Sequence, residues 1–317
     1  MRNIILVTAI LILLLFQSSC SSLESEPVSL KVAVLPVLDT LPMHVALEQG
    51  YFTEEGVDVE LVPVFSAPER DQLMQAGQID GMLNEVVSTL FYNEVDTEIV
   101  IVRFARVATE TYPLFRILAS AESGVTQVEG LVGVPIGISE GTVIEYTTDR
   151  ILTHAGLSQD QIVKIAVPKI PDRFALLQSG ELDAANLPDP LASLAIQGGA
   201  QLVIDDTTYP EVSHSVISFS AIVVEEHPEA IEAFLRAIER AVDDINANKE
   251  KWSGLLTDLE LVPPPLLESY VIPDFPPASV PNQSQFEDAL DWAKEKELIE
   301  GDIPYSGSVD ASFLPER

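Results

Sequence analysis

The sequence predicts an α/β protein made of two similar lobes that are joined by a hinge. The chain has 317 residues, which is too long for one small core and suits two domains of about 150 residues each. Apolar residues make up 47% of the chain, enough to build a sizeable core in each lobe. From residue 30 onward, short apolar runs alternate with amphipathic runs, a rhythm typical of a parallel sheet covered by helices.

The first half of the chain predicts the order strand, helix, strand, helix, strand. Each of the two amphipathic runs ends at a glycine, Gly50 or Gly77, as helices often do. In chain order, the five predicted elements are LKVAVLP, PMHVALEQG, VDVELVPV, PERDQLMQAG and IDGMLN.

The same order recurs in the second half of the chain. Its predicted elements are LVGVPIGI, GTVIEYTTDRILTHAG, IVKIAVP, RFALLQSG and LDAANLP. The segment LMQAGQIDGML at 73–83 aligns with LLQSGELDAAN at 176–186, which lies 103 residues further along. Thr142 and Glu145 have the spacing of a capping box at the start of the helix GTVIEYTTDRILTHAG. The recurrence predicts two copies of one half-sheet unit.

The last third of the chain departs from this pattern. The run SVISFSAIVV at 215–224 predicts a long strand that returns to the first lobe. His227-Pro228 begins a helix whose apolar residues recur at three- and four-residue spacing. Seven prolines between residues 263 and 281 exclude a helix there, and residues 283–298 predict a final helix.

The predicted domain boundaries follow from these elements. Lobe 1 comprises residues 30–118 plus 212–317, and lobe 2 comprises residues 119–211. The hinge is expected in FRILASA at 115–121 and in the segment 209–215.

The first twenty residues predict a signal peptide. Arg2 is followed by a mostly apolar run from Ile4 to Phe16, which is shorter than the roughly 20 residues of a membrane-spanning helix. Cys20, the only cysteine in the chain, resembles the acylated cysteine of a bacterial lipobox, although Gln17 stands where that pattern prefers leucine. The alternative is a free thiol at a signal junction. Residues 21–29 predict a polar tether.

The net charge of −33 restricts the partners. Such a surface repels phosphate backbones, so nucleic acid is excluded as a partner. It also repels anionic lipid headgroups, so membrane association would come from the lipid anchor alone. We expect a monomer, exported and anchored at the outer face of a bacterial membrane or in the periplasm.

Two facing lobes predict a ligand crevice, because ligands of open α/β sheets lie beyond the carboxyl ends of the strands. Helix N-termini with free N–H groups converge there. The candidate ligand-binding residues, which lie at these strand ends and near the hinge, are Leu38, Asp39, Thr40, Asn84, Glu85, Arg106, Ser139, Glu140, Gly141, Thr142, Tyr146, Leu187, Asp189 and His214.

Catalytic and metal-binding patterns are missing from the sequence. The four histidines are scattered without metal-ligand spacing, and neither G-x-S-x-G nor H-E-x-x-H occurs. We therefore predict no metal, no cofactor and no enzymatic activity.

Three segments resemble solute-binding proteins of ABC importers, in the nitrate, sulfonate, taurine and thiamine-precursor branch. They are LPMHVALEQGYFTEEGVDVELV, GVPIGISEGTVIEY and LLQSGELDAANLPDPLASLA, the last with Asp189 where glutamate is usual. The resemblance covers roughly residues 30–250. It implies a type II periplasmic-binding-protein fold that closes on a small molecule and delivers it to ABC permease subunits. A pyrimidine synthase branch of the superfamily carries a cysteine-rich iron-site motif, which this sequence lacks.

The residues at the strand ends favour a nitrogen-bearing ligand. Asp39, Glu85, Glu140 and Asp189 each place an acid there, which suits an amine or an aminopyrimidine. The alternative is that these acids only stabilise helix N-termini. A sulfonate- or nitrate-type anion would need a basic group such as Arg106, and the chain could also serve as a lipid-anchored ligand sensor.

Overall fold

The computed structural model describes residues 27–316, which form two five-stranded sheets flanked by helices. The strands of the first sheet are β1 (Val28–Val34), β2 (Val57–Pro63), β3 (Gly81–Asn84), β4 (Ile99–Val107) and β10 (His214–Ser220). The strands of the second sheet are β5 (Phe115–Ala119), β6 (Pro135–Ile138), β7 (Val163–Ala166), β8 (Ala184–Pro188) and β9 (Gln201–Asp205).

Helices connect the strands and cover both sheets. The α-helices are α1 (Leu41–Glu48), α2 (Tyr51–Glu55), α3 (Ala67–Gln75), α4 (Val86–Tyr92), α5 (Val143–His154), α6 (Ile170–Ser179), α7 (Leu191–Gln197), α8 (Ala221–Glu226), α9 (Pro228–Ala247), α10 (Ser253–Asp258), α11 (Gln283–Glu295) and α12 (Tyr305–Ser308). Short 3₁₀ turns occur at Leu38–Thr40, Val128–Leu131, Gln159–Gln161, Asp206–Thr208, Pro210–Val212, Lys249–Trp252 and Pro264–Leu266.

The two sheets have the same topology. Their strand orders are β2-β1-β3-β10-β4 and β7-β6-β8-β5-β9. In each sheet the first three strands are parallel, and the fourth runs antiparallel to both of its neighbours. The predicted repetition of one half-sheet unit is therefore visible in the strand order.

Each lobe receives its fourth strand from the other half of the chain. The chain leaves the first sheet after β4 and enters the second at β5, and it returns from β9 to β10. The crossings are thus residues 108–114 and 206–213. The strand β5 pairs with β8 and β9, so it is a member of the second sheet and not the hinge element that the sequence suggested. The first crossing precedes the predicted boundary at residue 118.

The two crossings are bonded side by side. The carboxylate of Asp206 accepts hydrogen bonds from the backbone N–H groups of Leu114 at 3.1 Å and Phe115 at 2.9 Å. The N–H of Ala108 donates to the carbonyl of Ser213 at 2.9 Å. Burial raises the pKa of Asp206 to about 7. These bonds join the crossings into one ribbon between the lobes.

A continuous apolar core extends across both lobes behind the cleft. It contains Leu90 of α4, Ile136 of β6, Ile144 of α5 and Trp292 of α11. Helix α11 reaches lobe 2 through two polar contacts as well: the Trp292 indole N–H donates to Asp149 at 2.9 Å, and Arg150 donates to Asp288 at 3.1 Å. Residues 283–295 therefore hold both lobes, although the sequence assigned them to lobe 1.

Past the second crossing, the predicted long strand at 215–224 divides. Strand β10 ends at Ser220, and helix α8 follows at once. The Ser220 hydroxyl accepts from the N–H of Val223 and so caps this helix. The proline-rich stretch contains only the 3₁₀ turn Pro264–Leu266, which agrees with the expected absence of an α-helix there. Within residues 27–316, every helix is too short or too polar to cross a bilayer.

Candidate functional site

A cleft between the lobes lies at the carboxyl ends of the strands. Lobe 1, lobe 2 and Leu114 of the first crossing contribute to its walls. The lining residues are Leu35, Val37, Asp39, Ala67, Arg70, Leu83, Asn84, Glu85, Leu114, Phe115, Ser139, Thr142, Val143, Ile144, Pro168, Ile170, Arg173, Pro188, Asp189, His214 and Ser215. The loop ends at 38–40 and 139–142 thus face one cleft, as the repeated half-sheet unit predicts.

The loop before α5 forms part of the lobe 2 wall. Gly141 has a φ of +65°, a conformation that favours glycine. The Thr142 hydroxyl accepts from the N–H of Ile144 at 3.2 Å, and the Glu145 carboxylate accepts from the N–H of Gly141 at 2.8 Å. A capping box would pair Thr142 with the N–H of Glu145, so the two side chains cap the helix one residue away from the predicted arrangement.

Two of the acids predicted at the strand ends are held by arginines. Asp39 accepts from Arg106 at 3.3 Å and from the Ser215 hydroxyl at 2.6 Å. Asp189 forms an ion pair with Arg116. Its second oxygen accepts at 2.7 Å from the Tyr270 hydroxyl, which packs with the core of lobe 1. These carboxylates are charge-neutralised, and the second of them fastens the two lobes together.

A third acid, Glu85, lies in a buried cluster of ionised groups. Its Oε2 accepts from Arg70 at 2.9 Å, and Arg70 also forms an ion pair with Asp71 at 2.8 Å. Burial raises the pKa of Glu85, although the charge of Arg70 and the N–H of Val143 act in the opposite direction. Asp71 and Glu85 together outweigh Arg70, so this cluster carries a net negative charge when Glu85 is ionised.

On the lobe 2 wall, Arg173 has no counter-ion among residues 27–316. Its Nε donates to the carbonyl of Asn186 at 2.8 Å, and its Nη1 donates to the carbonyl of Val167 at 2.7 Å. The side chain is 0% exposed. Burial lowers the pKa of Arg173 to about 10, so the guanidinium keeps its positive charge at neutral pH.

Several buried polar atoms of the cleft residues lack a hydrogen-bond partner within the described part of the chain. Buried polar groups are normally satisfied, so a cluster of exceptions in one cleft indicates a place for a ligand. Burial lowers the pKa of His214 to about 4, which keeps its imidazole neutral. The atoms are Glu85 Oε1, Ser139 Oγ, Arg70 Nη2, Arg173 Nη2 and His214 Nδ1. Of these, Arg70 Nη2 lies 2.8 Å from Asp71 Oδ1 in an ion pair.

The structure brings together half of the residues that the sequence proposed. The proposed residues that line the cleft are Asp39, Asn84, Glu85, Ser139, Thr142, Asp189 and His214. Those that lie outside its lining are Leu38, Thr40, Arg106, Glu140, Gly141, Tyr146 and Leu187.

The seven residues outside the lining serve other purposes in the fold. Leu38 and Leu187 are buried core residues, and Thr40 is buried with its hydroxyl bonded to the carbonyl of Val37. Tyr146 is buried, packs against Trp292 and bonds to Asp288. Glu140 is exposed, Gly141 shapes its loop, and Arg106 lies behind Asp39.

The sequence interpretation missed Arg70 and Arg173. Both lie in the first turns of helices that belong to the repeat. A basic residue near a helix start is usually exposed, so the sequence interpretation did not propose either arginine as a site residue. Extending the aligned segments by three residues toward the N-terminus would have placed one arginine upon the other.

Comparison with known proteins decides the family. A profile described as NMT1/THI5 like matches residues 38–251, more than half of the chain. The chain belongs to this family. The predicted family relationship is therefore confirmed.

Individual relatives and structures agree with this assignment. The formylaminopyrimidine-binding protein of Halalkalibacterium halodurans is 26% identical over 276 residues, covering 83% of this chain and 81% of the relative. The alkanesulfonate-binding protein SsuA of Xanthomonas axonopodis pv. citri, bound to MOPS, has a TM-score of 0.76 at 18% identity, covering 90% of this chain and 99% of that one. The predicted periplasmic-binding-protein fold is confirmed.

The same architecture also occurs in an enzyme. The desulfurization enzyme DSZB has a TM-score of 0.67 at 16% identity, covering 90% of this chain and 97% of that one. Fold alone therefore does not separate binding from catalysis. Within residues 27–316, histidine, cysteine and acidic side chains form no cluster able to hold a metal ion.

Proposed function

We propose that the chain is the extracytoplasmic solute-binding component of an ABC importer, and not an enzyme. Its two lobes close on one small, nitrogen-bearing organic molecule and deliver it to permease subunits. The observation that carries this proposal is the set of unpartnered polar atoms on both walls of one interlobe cleft. Hinge closure around such a cleft is the usual switching mode of periplasmic binding proteins.

Of the four acids at the strand ends, Glu85 is the one that supports a nitrogen-bearing ligand. Asp39 and Asp189 are neutralised by arginines, and Glu140 is exposed. Of these four acids, Glu85 is the one with an unpartnered carboxylate oxygen beside the cleft, which suits an amine or the exocyclic amino group of a pyrimidine. The relative that binds formylaminopyrimidine supports the same ligand class.

A thermal-shift screen tests this function. The panel contains formylaminopyrimidine, aminopyrimidines, thiamine intermediates, amines, sulfonates and nitrate. A ligand at one hundred times its Kd stabilises the native state by about 2.7 kcal/mol, so the melting temperature should rise clearly with a nitrogen-bearing member. A panel without effect would contradict ligand capture, and a response confined to amine-free sulfonates or nitrate would contradict the nitrogen preference.

A matched pair of variants locates the effect in the cleft. Glu85→Gln should reduce the shift caused by an amine, because a neutral amide replaces the buried carboxylate. Glu140→Gln makes the same change at an exposed position and should leave the shift intact.

We further propose that Cys20 is acylated and that the protein is a monomer held at the membrane only by this anchor. Cys20 and the preceding residues lie outside the described part of the chain, so the support is the sequence pattern. Cys20→Ser should release the protein from the membrane fraction, whereas Ser19→Ala should leave it there. Membrane retention of Cys20→Ser would contradict acylation.

A further inference from the structure

The internal repeat places two buried arginines at equivalent positions. Arg70 in α3 and Arg173 in α6 are 103 residues apart, the same offset that relates the two aligned segments. Both side chains are buried and both line the cleft. Arg70 donates to the carbonyl of Leu83 at 3.2 Å, and Arg173 donates to that of Asn186 at 2.8 Å. These two carbonyls are also 103 residues apart, so the arginines are structural counterparts.

The two arginines differ in their acidic neighbours. Arg70 is paired with the carboxylates of Asp71 and Glu85. The positions 103 residues after these acids hold Phe174 and Pro188. Both neutralising acids are thus absent from the second copy, and no described carboxylate replaces them.

A buried cation without a counter-ion is costly, because desolvation disfavours its charge by several kcal/mol. The backbone contacts of Arg173 occupy its Nε and Nη1, which suffices to join α6 to its sheet. They leave Nη2 unpartnered at the cleft wall. A purely structural role accounts for two of the three guanidinium nitrogens and leaves the third, together with the charge, unexplained.

We propose that Arg173 binds an anionic oxygen group of the ligand, a carboxylate or a sulfonate. This proposal rests on the proposed function, since it adds a negative group to the nitrogen-bearing molecule assigned to the same cleft. The planar guanidinium matches both oxyanions geometrically. The ligand is thus zwitterionic or dipolar, with its nitrogen near Glu85 and its oxyanion at Arg173.

Calorimetric titration at constant ionic strength tests the proposal with matched probes. One pair is taurine and 2-(methylsulfonyl)ethylamine, which keeps the ammonium group but has a sulfone without negative charge in place of the sulfonate. In each pair, the member with the oxyanion is called the charged probe and the member without it the neutral probe. The second pair is 4-aminobenzoate and 4-aminobenzamide, so the two pairs separate sulfonate from carboxylate recognition. The wild-type protein should bind the charged member of at least one pair about tenfold to a hundredfold more tightly, because hydrogen bonds to charged groups are strong.

Three variants separate recognition from folding. Arg173→Gln should abolish the preference for the charged probe, and Arg173→Lys should restore part of it by restoring the charge. Lys169→Gln removes one positive charge from an exposed site four residues earlier and should keep the preference. A structural role would make both Arg173 variants equally poor binders of charged and neutral probes.

Each of the remaining outcomes would contradict the proposed role of Arg173. If Arg173→Gln retains the preference, Arg173 does not recognise the anion. If amines stabilise the wild-type protein but no pair shows a charge preference, the proposed function stands and this inference fails. If neither member of any pair binds, this inference fails too, and the proposed function then depends on the uncharged members of the screening panel.

Discussion

The two lobes share one architecture but present different electrostatics to the cleft. In lobe 1, the buried Arg70 is enclosed by two carboxylates. In lobe 2, its counterpart Arg173 makes the same kind of backbone contact, and neither of the two equivalent positions holds an acid. The repeat therefore places a cation at the same point in both lobes, while its neighbours decide whether that cation holds the fold together or faces a ligand.

The largest expected difference between the two arginines concerns stability. Arg70→Met leaves the buried carboxylate of Glu85 and the partly exposed carboxylate of Asp71 without their cation and should lower the free energy of unfolding by about 3–5 kcal/mol. Arg173→Met loses hydrogen bonds to carbonyls but also removes an uncompensated charge, so its cost should be about 1 kcal/mol. Urea denaturation at pH 7 measures both values, and equal losses would break the comparison.

The second prediction concerns a variant in which Arg173 of lobe 2 receives an acidic neighbour, as Arg70 has in lobe 1. Phe174→Asp places a carboxylate beside Arg173, at the position equivalent to Asp71. Neutralising the guanidinium in this way should weaken binding of an anionic probe about tenfold without a comparable loss for its neutral analogue. Phe174→Leu is the control, since it alters the half-buried ring without adding charge. Unchanged anion affinity in Phe174→Asp would show that the charge of Arg173 is not used.

The smallest expected effect is the pH dependence of anion binding, which depends on Glu85 in lobe 1. Burial raises the pKa of Glu85, so as pH falls this side chain takes up a proton earlier than an ordinary glutamate. The cleft then loses a negative charge, and an anionic probe should bind about fivefold more tightly, the equivalent of about 1 kcal/mol. Glu85→Gln should bind this probe equally well across that pH range. A wild-type affinity that fell on acidification would contradict this assignment.

The same raised pKa has a consequence for stability with a defined sign. The folded protein holds the Glu85 proton more tightly than the unfolded chain does. The contribution of this group is therefore fully present below the unfolded pKa and is lost as pH rises through the folded pKa. Glu85→Gln should flatten this part of the pH–stability curve measured by denaturation.

Most of the fold could be predicted from the sequence because local patterns specify it. Apolar alternation and glycine stops gave the strands and helices of both repeats, and the 103-residue offset correctly related α3 to α6. The strand at 215–224 was too long because an apolar run does not show where a helix begins. Ser220 ends that strand by capping α8, a local signal that apolar periodicity alone does not reveal.

The candidate site could be predicted only in part. Strand ends are visible in a sequence, so the loops around Asp39, Glu85 and Ser139 were assigned to one crevice. Charge pairing is not visible, because Arg106 and Arg116 lie far from their acids along the chain. The acids alone suggested a uniformly negative cleft, whereas the structure neutralises two of them.

Helix α11 adds a support that lies away from the two crossings. Two lobes joined at two adjacent crossings can rotate about more than one axis, and a third connection restricts that rotation. Trp292 and Asp288 bond to lobe 2, and Val309, further along the chain, bridges to Ile101 in the first sheet. Under the proposed function, closure of the cleft has to move this third connection together with the two crossings.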